Sequence, residues 1–220
     1  MRLVLATRNP GKVAELRARL AALPVELVTA AELGAPDVDE TADSLSGNAL
    51  LKARALCAHA GLPALADDTG LEVDALGGAP GVRSARFAGP DADDAANRAR
   101  LLADLDAARI AGDSRRSARF RTVLAFVRPA PAGAWGAHAE TFEGVCEGTI
   151  TMTERGDAGF GYDAVFDPAD GDPPEVSPQD RRTFAQMSAE EKNGISHRGR
   201  ALDAFVDWLT DVLNDPAEAL

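Results

Sequence analysis

The sequence predicts an α/β fold built on a mixed, twisted β-sheet flanked by helices. Short apolar segments alternate with segments of helical periodicity along the first half of the chain, which is typical of βα units. Two later strands, near residues 122–127 and 137–151, follow each other directly and predict an antiparallel pair, so the sheet is not purely parallel. A chain of 220 residues is long enough for one large domain or two closely joined lobes.

The chain opens with a predicted strand at residues 2–6 and a predicted helix at residues 12–23. In the turn between them, Asn9 is a good N-cap and Pro10 a good first helical residue. The helix amides and the positive end of the helix dipole then lie beside Lys12, which predicts an anion site. The alternative is an ordinary capped helix with an exposed lysine.

A second strand is predicted at residues 25–29, followed by an acidic loop at residues 32–43. Most of these carboxylates are expected to be solvated, but one of them is a candidate to complete a Mg²⁺ site. The next helix is predicted at residues 45–60 and ends at Gly61. Lys52 lies at the edge of its apolar stripe, where a lysine either extends to water or takes part in a site.

A short apolar run at residues 62–66 predicts a buried strand that ends on Asp67 and Asp68, followed by a turn at Thr69-Gly70. Neighbouring strand residues point to opposite faces of a sheet. We therefore expect one carboxylate to face a site, and the other to anchor the turn or to enter the site through a metal. The alternative is an Asx-turn that only ends a strand.

The second half of the chain holds a helix at residues 93–105 and a basic run at residues 115–121, which we interpret as the polar start of the next strand. Phe160 lies between two glycines, so its own neighbours pack it poorly and it is a candidate to stack on a flat ligand such as a base. A capping box at Ser188 begins a short helix.

Ser196 is predicted to cap the last helix, with His197 and Arg198 in the first turn. Cations are unfavourable at a helix N-terminus. This placement favours a ligand that compensates the charge, although exposed pairs of this kind are common.

Composition limits the classes of partner. A net charge of −12 argues against a nucleic-acid backbone, which requires a basic face. Cys57 and Cys146 form neither a disulfide framework nor a metal-ligand spacing and are expected to be buried thiols. No stretch approaches the length of a membrane span and no signal sequence is recognisable, so we expect a cytoplasmic protein with no membrane partner.

Six motifs occur in an order seen in one family, and they are Thr7-x-Asn9-x-x-Lys12, Asn48-Ala49-x-x-Lys52-Ala53, Ala66-Asp67-Asp68-Thr69-Gly70-Leu71, Leu76-Gly77-Gly78-Ala79-Pro80-Gly81, Phe160-Gly161-Tyr162-Asp163 and Ser196-His197-Arg198-Gly199. With these motifs the chain resembles the non-canonical purine nucleoside triphosphate pyrophosphatases, also called inosine/xanthosine triphosphate pyrophosphatases. The resemblance extends from residue 2 to about residue 210. Gly47 and Ala164 depart from the family pattern, which usually has an acidic residue and a proline there.

The resemblance implies a single domain over residues 1–220, with two lobes around a nucleotide-binding cleft, a loose C-terminal tail and a homodimeric state. It implies Mg²⁺-dependent hydrolysis of ITP, dITP or XTP to the monophosphate and pyrophosphate, which cleanses the nucleotide pool. Glu40 and Asp68 would bind the metal, and Asp68, or Asp67 in its place, would accept a proton with Lys52 as a further catalytic residue. The substrate would be held by Thr7, Arg8, Asn9, Pro10, Gly11, Lys12, Thr69, Phe160, Gly161, Tyr162, Asp163, Lys192, His197 and Arg198.

Two other functions remain open at the level of sequence. A Maf-like pyrophosphatase of pyrimidine or modified triphosphates would share the opening turn but leave Phe160 and the His197-Arg198 pair without a role. A nucleotide-binding module without turnover would need Lys12 and Phe160 but no paired carboxylates.

Overall fold

The computed structural model describes residues 1–7, 10–129, 138–173, 175–177 and 180–214. It confirms the mixed α/β fold. The helices are α1 (Pro10–Leu20), α2 (Leu45–Ala60), α3 (Asp94–Ile110), α4 (Ala189–Ile195) and α5 (His197–Asn214). The strands are β1 (Arg2–Leu5), β2 (Glu26–Thr29), β3 (Ala64–Val73), β4 (Pro80–Gly81), β5 (Ser117–Arg128), β6 (His138–Ile150) and β7 (Phe166–Pro168). None of the helices in these described ranges has both the length and the apolar run that crossing a bilayer requires.

The chain forms two compact units. Unit 1 comprises residues 1–68, 123–143 and 201–220, and unit 2 comprises residues 69–122 and 144–200. In unit 1, β1 pairs in parallel with β2 on one side and with β3 on the other. The apolar faces of α1 and α5 supply much of its core, in which Leu16, Leu20 and Phe205 are buried.

Unit 2 contains antiparallel strand pairs. Strand β4 pairs with β3, and β7 pairs with β6, both antiparallel. Arg116 at the start of β5 donates to the carbonyl of Ile150 at the end of β6, and Arg119 meets Glu147, so these two strands also run in opposite directions. The predicted antiparallel pair is confirmed. The core of the unit is aromatic, with Phe120, Phe166 and Phe184 in mutual ring contact.

The prediction that a strand ends at Asp67 and Asp68 is wrong. Strand β3 continues through both carboxylates to Val73. Its pairing with β1 reaches only Leu65, because β1 ends at Leu5. The later residues of β3 pair with the nearby β4, and β3 also pairs with β5, which is far along the chain and therefore does not show in the local pattern.

Most helix predictions are confirmed. Helix α2 has the predicted bounds, and Gly61 ends it in the left-handed conformation with φ of 63°. Helix α1 begins at Pro10 as expected but ends at Leu20, three residues before the predicted end. The capping box at Ser188 is present, and the Oγ of Ser196 accepts from the Gly199 amide at the start of α5. The predicted Asn9 cap and C-terminal tail lie outside the described residues.

Asp167 of β7 is a buried carboxyl in unit 2. The residue is 4% exposed, and within the described residues its Oδ1 atom makes no hydrogen bond. Burial raises its pKa, and the nearby Arg181 and Arg155 only partly oppose that shift. The folded protein therefore holds this proton at pH values where the unfolded chain has already lost it.

Replacing Asp167 is expected to change how stability depends on pH. Because the folded pKa is raised, the contribution of Asp167 to the free energy of unfolding falls as pH rises from about 4 through the folded pKa. Asp167→Asn should remove this fall, so the variant should be more stable than the parent at pH 7 and should converge with it near pH 3. Urea unfolding at both pH values measures the difference, with the exposed Asp170→Asn as control. Equal loss of stability at all pH values would contradict the expectation.

Candidate active site

Unit 1 contains two lysine–carboxylate clusters formed by residues from α1, α2, β3 and the acidic loop. Lys12 Nζ of α1 lies 2.6 Å from Asp67 Oδ2. Lys52 Nζ of α2 lies 2.9 Å from Glu40 Oε1 and 3.0 Å from Asp68 Oδ1. The two adjacent aspartates therefore hold different lysines, as expected for neighbouring strand residues that point to opposite faces. The structure thus brings together five charged residues that were predicted from the sequence to be site residues.

All of these residues except Asp68 line a pocket with a volume of about 370 Å³. Its walls include Thr7, Lys12, Glu40, Lys52 and Asp67, and its remaining lining is largely apolar, with alanines from several elements. The opening turn therefore reaches the pocket through Thr7 and Lys12. Arg8 and Asn9 lie outside the described residues. Pro10 and Gly11 form the start of α1, and their side chains are not described.

The pKa of Lys52 depends on the carboxylates of Asp68 and Glu40. Burial by itself would lower the pKa of Lys52, but the carboxylates of Asp68 and Glu40 outweigh burial, and the pKa is raised. Lys52 is therefore a fixed cation at neutral pH. Burial also raises the pKa of Asp68, because the opposing effects of Lys52 and of the Asn48 hydrogen bond are smaller. A carboxylate with a raised pKa is a better proton acceptor than a solvated one.

Asn48 is a site residue whose role sequence reasoning did not assign. It is fully buried on α2. Its Nδ2 donates to Asp68 Oδ2 at 3.3 Å, and its Oδ1 accepts from the Ala42 amide at 2.9 Å. One side chain thus orients Asp68 and ties down the acidic loop that carries Glu40. An asparagine on an apolar helix stripe was the available signal, because a buried amide needs partners.

The donor set around Lys52 suits a hard divalent cation. Magnesium takes one or two carboxylates and completes its shell with waters and phosphate oxygens. Glu40 and Asp68 each place one oxygen within 3.0 Å of the same ammonium, so both carboxylates already converge on a cation. Among the described residues no cluster of three or more histidine, cysteine or acidic side chains is present. A magnesium ion held by Glu40 and Asp68 would complete its shell with waters and phosphate oxygens.

Unit 2 contains a second cluster, which surrounds Phe160. This aromatic side chain is 51% exposed. The Lys192 Nζ lies 5.0 Å and the Arg198 Cζ 5.8 Å from its ring centroid, both within cation–π range. Lys192 also binds Asp163 Oδ2 at 2.5 Å, and Arg198 Nη2 lies 3.5 Å from Thr69 Oγ1. Five of the predicted substrate-binding residues therefore meet around one exposed aromatic face.

The loop of residues 159–163 has a fixed backbone. Asp163 Oδ2 accepts from the Phe160 amide at 2.9 Å. A Cβ at Gly159 would lie 2.1 Å from that same oxygen, so only glycine fits there. The Tyr162 hydroxyl donates to the Ser84 carbonyl at 2.8 Å. Asp163 and Tyr162 thus support the loop from below, while Phe160 remains on its surface.

His197 takes a different position from the one its sequence context indicated. It is 4% exposed, and its ring stacks on Phe120 with centroids 4.6 Å apart. It therefore belongs to the aromatic core of unit 2, whereas Arg198 beside it reaches Phe160. The direct contact of His197 with a nucleotide stays a prediction.

The model of the Ham1 family matches residues 3–208, which is nearly the whole chain. The chain belongs to the Ham1 family. The predicted resemblance is thereby confirmed, and no part of the six motifs lies outside the matched range.

Curated relatives and solved structures of Ham1 proteins agree with this assignment. The dITP/XTP pyrophosphatase of Symbiobacterium thermophilum is 46% identical over 216 residues, covering 97% of this chain and 98% of the relative. That of Methylococcus capsulatus is 48% identical over 200 residues, covering 91% and 92%. The solved HAM1 protein from Coxiella burnetii has a TM-score of 0.84 at 40% identity and covers 96% of this chain and 99% of its own.

Gly47, one of the departures from the family pattern, has a packing reason. A Cβ at Gly47 would lie 2.6 Å from the Ala42 Cβ and 3.0 Å from Ser44 Oγ. The Gly47 amide donates to Ser44 Oγ, the N-cap of α2. In this Ham1 chain a glycine therefore lets the acidic loop lie directly on the first turn of α2, where Asn48 holds it.

Gly47→Ala is expected to lower the free energy of unfolding by about 1–3 kcal/mol, because the new methyl group overlaps Ala42 and outweighs the gain in helix propensity. The double variant Ala42→Gly/Gly47→Ala removes the overlap and should recover most of that loss. Urea unfolding of the parent, of both variants and of the single Ala42→Gly control gives the complete double-mutant cycle. If the single Gly47→Ala variant is as stable as the parent, the acidic loop does not need to pack closely against Gly47.

Proposed function

We propose that this protein hydrolyses non-canonical purine nucleoside triphosphates to the monophosphate and pyrophosphate with the help of Mg²⁺. The observation that carries the proposal is the pair of clusters in unit 1, where Lys12 and Lys52 are each held against carboxylates in one pocket. Phosphate oxygens need cations and a divalent ion needs carboxylates, and this pocket offers both. The enzyme class is that of the relatives, and the chain is a nucleoside triphosphate pyrophosphatase.

In the proposed reaction, unit 1 binds the triphosphate. The opening turn and Lys12 hold phosphate oxygens, and Lys52 stabilises the charge that develops on the departing pyrophosphate. Lys52 suits this role because its raised pKa keeps it charged and its contacts keep it in place. A bound Mg²⁺, held by Glu40 and Asp68, would neutralise phosphate charge and lower the pKa of a water molecule.

Asp68 is the proposed proton acceptor for the attacking water. Its fixed orientation through Asn48 supports this choice over Asp67, which is held by Lys12 at 2.6 Å. Asp67 is then the residue that positions Lys12. The assignment follows the resemblance and stays a proposal.

Unit 2 would read the base. Hypoxanthine and xanthine present a 6-keto acceptor, whereas adenine presents a 6-amino donor. Arg198 offers only donors, so it matches the first two bases and meets an unfavourable donor in adenine. Phe160 supplies a flat apolar surface that every base accepts about equally, so the choice between bases depends on the polar groups.

The rival functions differ in measurable ways. A Maf-like enzyme has no use for the cluster around Phe160, and a binding module without turnover has no use for Asp68. Homodimer formation remains a prediction of the family resemblance, and a cytoplasmic location remains a prediction from the sequence.

The first test is product formation from ITP. We expect inosine monophosphate and pyrophosphate in equal amounts, with loss of turnover in EDTA and recovery with added Mg²⁺. Asp68→Asn should lower kcat by roughly 10²–10⁴-fold, which is the usual scale of general-base catalysis. Asp104→Asn, which removes an exposed carboxylate of α3, is the control.

Two results would contradict this proposal. If the enzyme in excess over ITP binds the nucleotide but forms no product, the result would favour a nucleotide-binding module without turnover. An Asp68→Asn rate within a few-fold of the parent would exclude Asp68 as the base and make Asp67 the next candidate.

The second test concerns base choice. Arg198→Met keeps the length of the side chain but removes its donors, and it should lower kcat/KM for ITP roughly 10- to 100-fold, the scale of one hydrogen bond to a charged group. Activity on ATP should change little, so the ITP/ATP ratio should fall. The control is Arg200→Met, two residues further along α5, whose guanidinium pairs with Asp170. An unchanged ratio would place base reading elsewhere, with Lys192 as the next residue to test.

A further inference from the structure

Helix α3, which carries none of the six motifs, contacts the 159–163 loop. The backbone amide of Gly161 donates to Asp94 Oδ2 at 2.6 Å, and the carbonyl of the same residue accepts from Arg98 Nη1 at 2.8 Å. Asp94 and Arg98 lie four residues apart and therefore on one face of α3. One helix thus holds both polar groups of a single loop residue.

We propose that Arg98 and Asp94 are positioning residues for the nucleobase, acting through Gly161. This inference rests on the proposed function, because it concerns how Phe160 is presented to a base. Gly161 has φ of 62°, a left-handed conformation. Satisfying its amide and its carbonyl from one rigid helix selects that conformation among the many that glycine can adopt.

The contacts that Asp94 and Arg98 make with Gly161 also restrict Phe160, because Phe160 and Gly161 share a peptide group. The peptide between Phe160 and Gly161 has its N–H held by Asp94, while its carbonyl accepts from the Asp163 amide at 3.2 Å. The Phe160 amide is held by Asp163 Oδ2. The peptide groups on both sides of Phe160 are therefore fixed, although its side chain is half exposed. A surface aromatic that is already ordered loses little entropy when a base stacks on it.

Arg98 is well placed to act as a rigid support. Its side chain is 17% exposed, and its Nε lies 3.0 Å from Glu154 Oε2. Helix α3 is itself anchored by Asn97, whose Oδ1 accepts from the Ala88 amide and whose Nδ2 donates to the Ala85 carbonyl. The support is thus continuous from the 84–88 segment through α3 to Gly161.

The experiment compares Arg98→Met and Asp94→Ala with Arg98→Lys and with Arg100→Met, a control on the same helix whose guanidinium pairs with Asp104. We expect Arg98→Met to raise the KM for ITP and the dissociation constant for inosine monophosphate about tenfold, the scale of one hydrogen bond to a charged group. The kcat should stay within about twofold, and inhibition by inorganic pyrophosphate should not change. Hydrogen exchange at the Gly161 amide should become faster in Asp94→Ala, and Arg98→Lys should restore part of the affinity.

The measurements separate this inference from the proposed function. Failure of the parent to hydrolyse ITP, with inosine monophosphate still bound and weakened by Arg98→Met, would overturn the activity and support the positioning role. Faster exchange at Gly161 with unchanged affinity for inosine monophosphate would overturn the positioning role. A parallel loss of kcat, pyrophosphate affinity and melting temperature would also overturn it, because that pattern belongs to a structural residue.

Discussion

The interaction on which the candidate site depends is the ammonium of Lys52 held between Glu40 and Asp68. A charge removed from water is costly unless it is paired and hydrogen-bonded. Lys52 is 15% exposed on its side chain, so its two carboxylates are required partners. Lys12 and Asp67 form the matching pair at 2.6 Å. Two lysines therefore face three carboxylates, so these five groups together carry an excess of negative charge before any ligand arrives.

Under the proposed function, this excess of negative charge would favour a nucleoside triphosphate that binds together with a divalent ion over either one alone. Phosphate oxygens that attract Lys52 would weaken its contacts with Glu40 and Asp68, which would then need another cation. A divalent ion on these two carboxylates would leave the lysines to the phosphates. Binding of the anion alone would instead leave Asp68 and Glu40 facing each other.

In unit 2, the main feature is a set of contacts that hold the exposed ring of Phe160 in one place. In the 159–163 loop a side chain at Gly159 would collide with Asp163, and the backbone groups around Phe160 have polar partners. Tyr162 and His197 are buried in the aromatic core. Elsewhere in unit 2 the basic residues of β5 are occupied structurally, since Arg119 meets Asp74 and Glu147. The basic run of the sequence is thus a strand with ion pairs to its neighbours.

The sequence by itself determined the class of fold, the bounds of α2, the caps of α4 and α5, and the residues that carry charge and aromatic character. These features depend on local spacing, because burial of one helix face or a cap at one helix end involves residues a few positions apart. The tertiary structure alone decided that β3 runs through Asp67 and Asp68, that Asn48 orients Asp68, that His197 is buried on Phe120, and that α3 holds Gly161. Each of these depends on contacts between residues distant in the chain, such as Arg98 and Gly161. Periodicity carries no information about which distant partner satisfies a buried polar group.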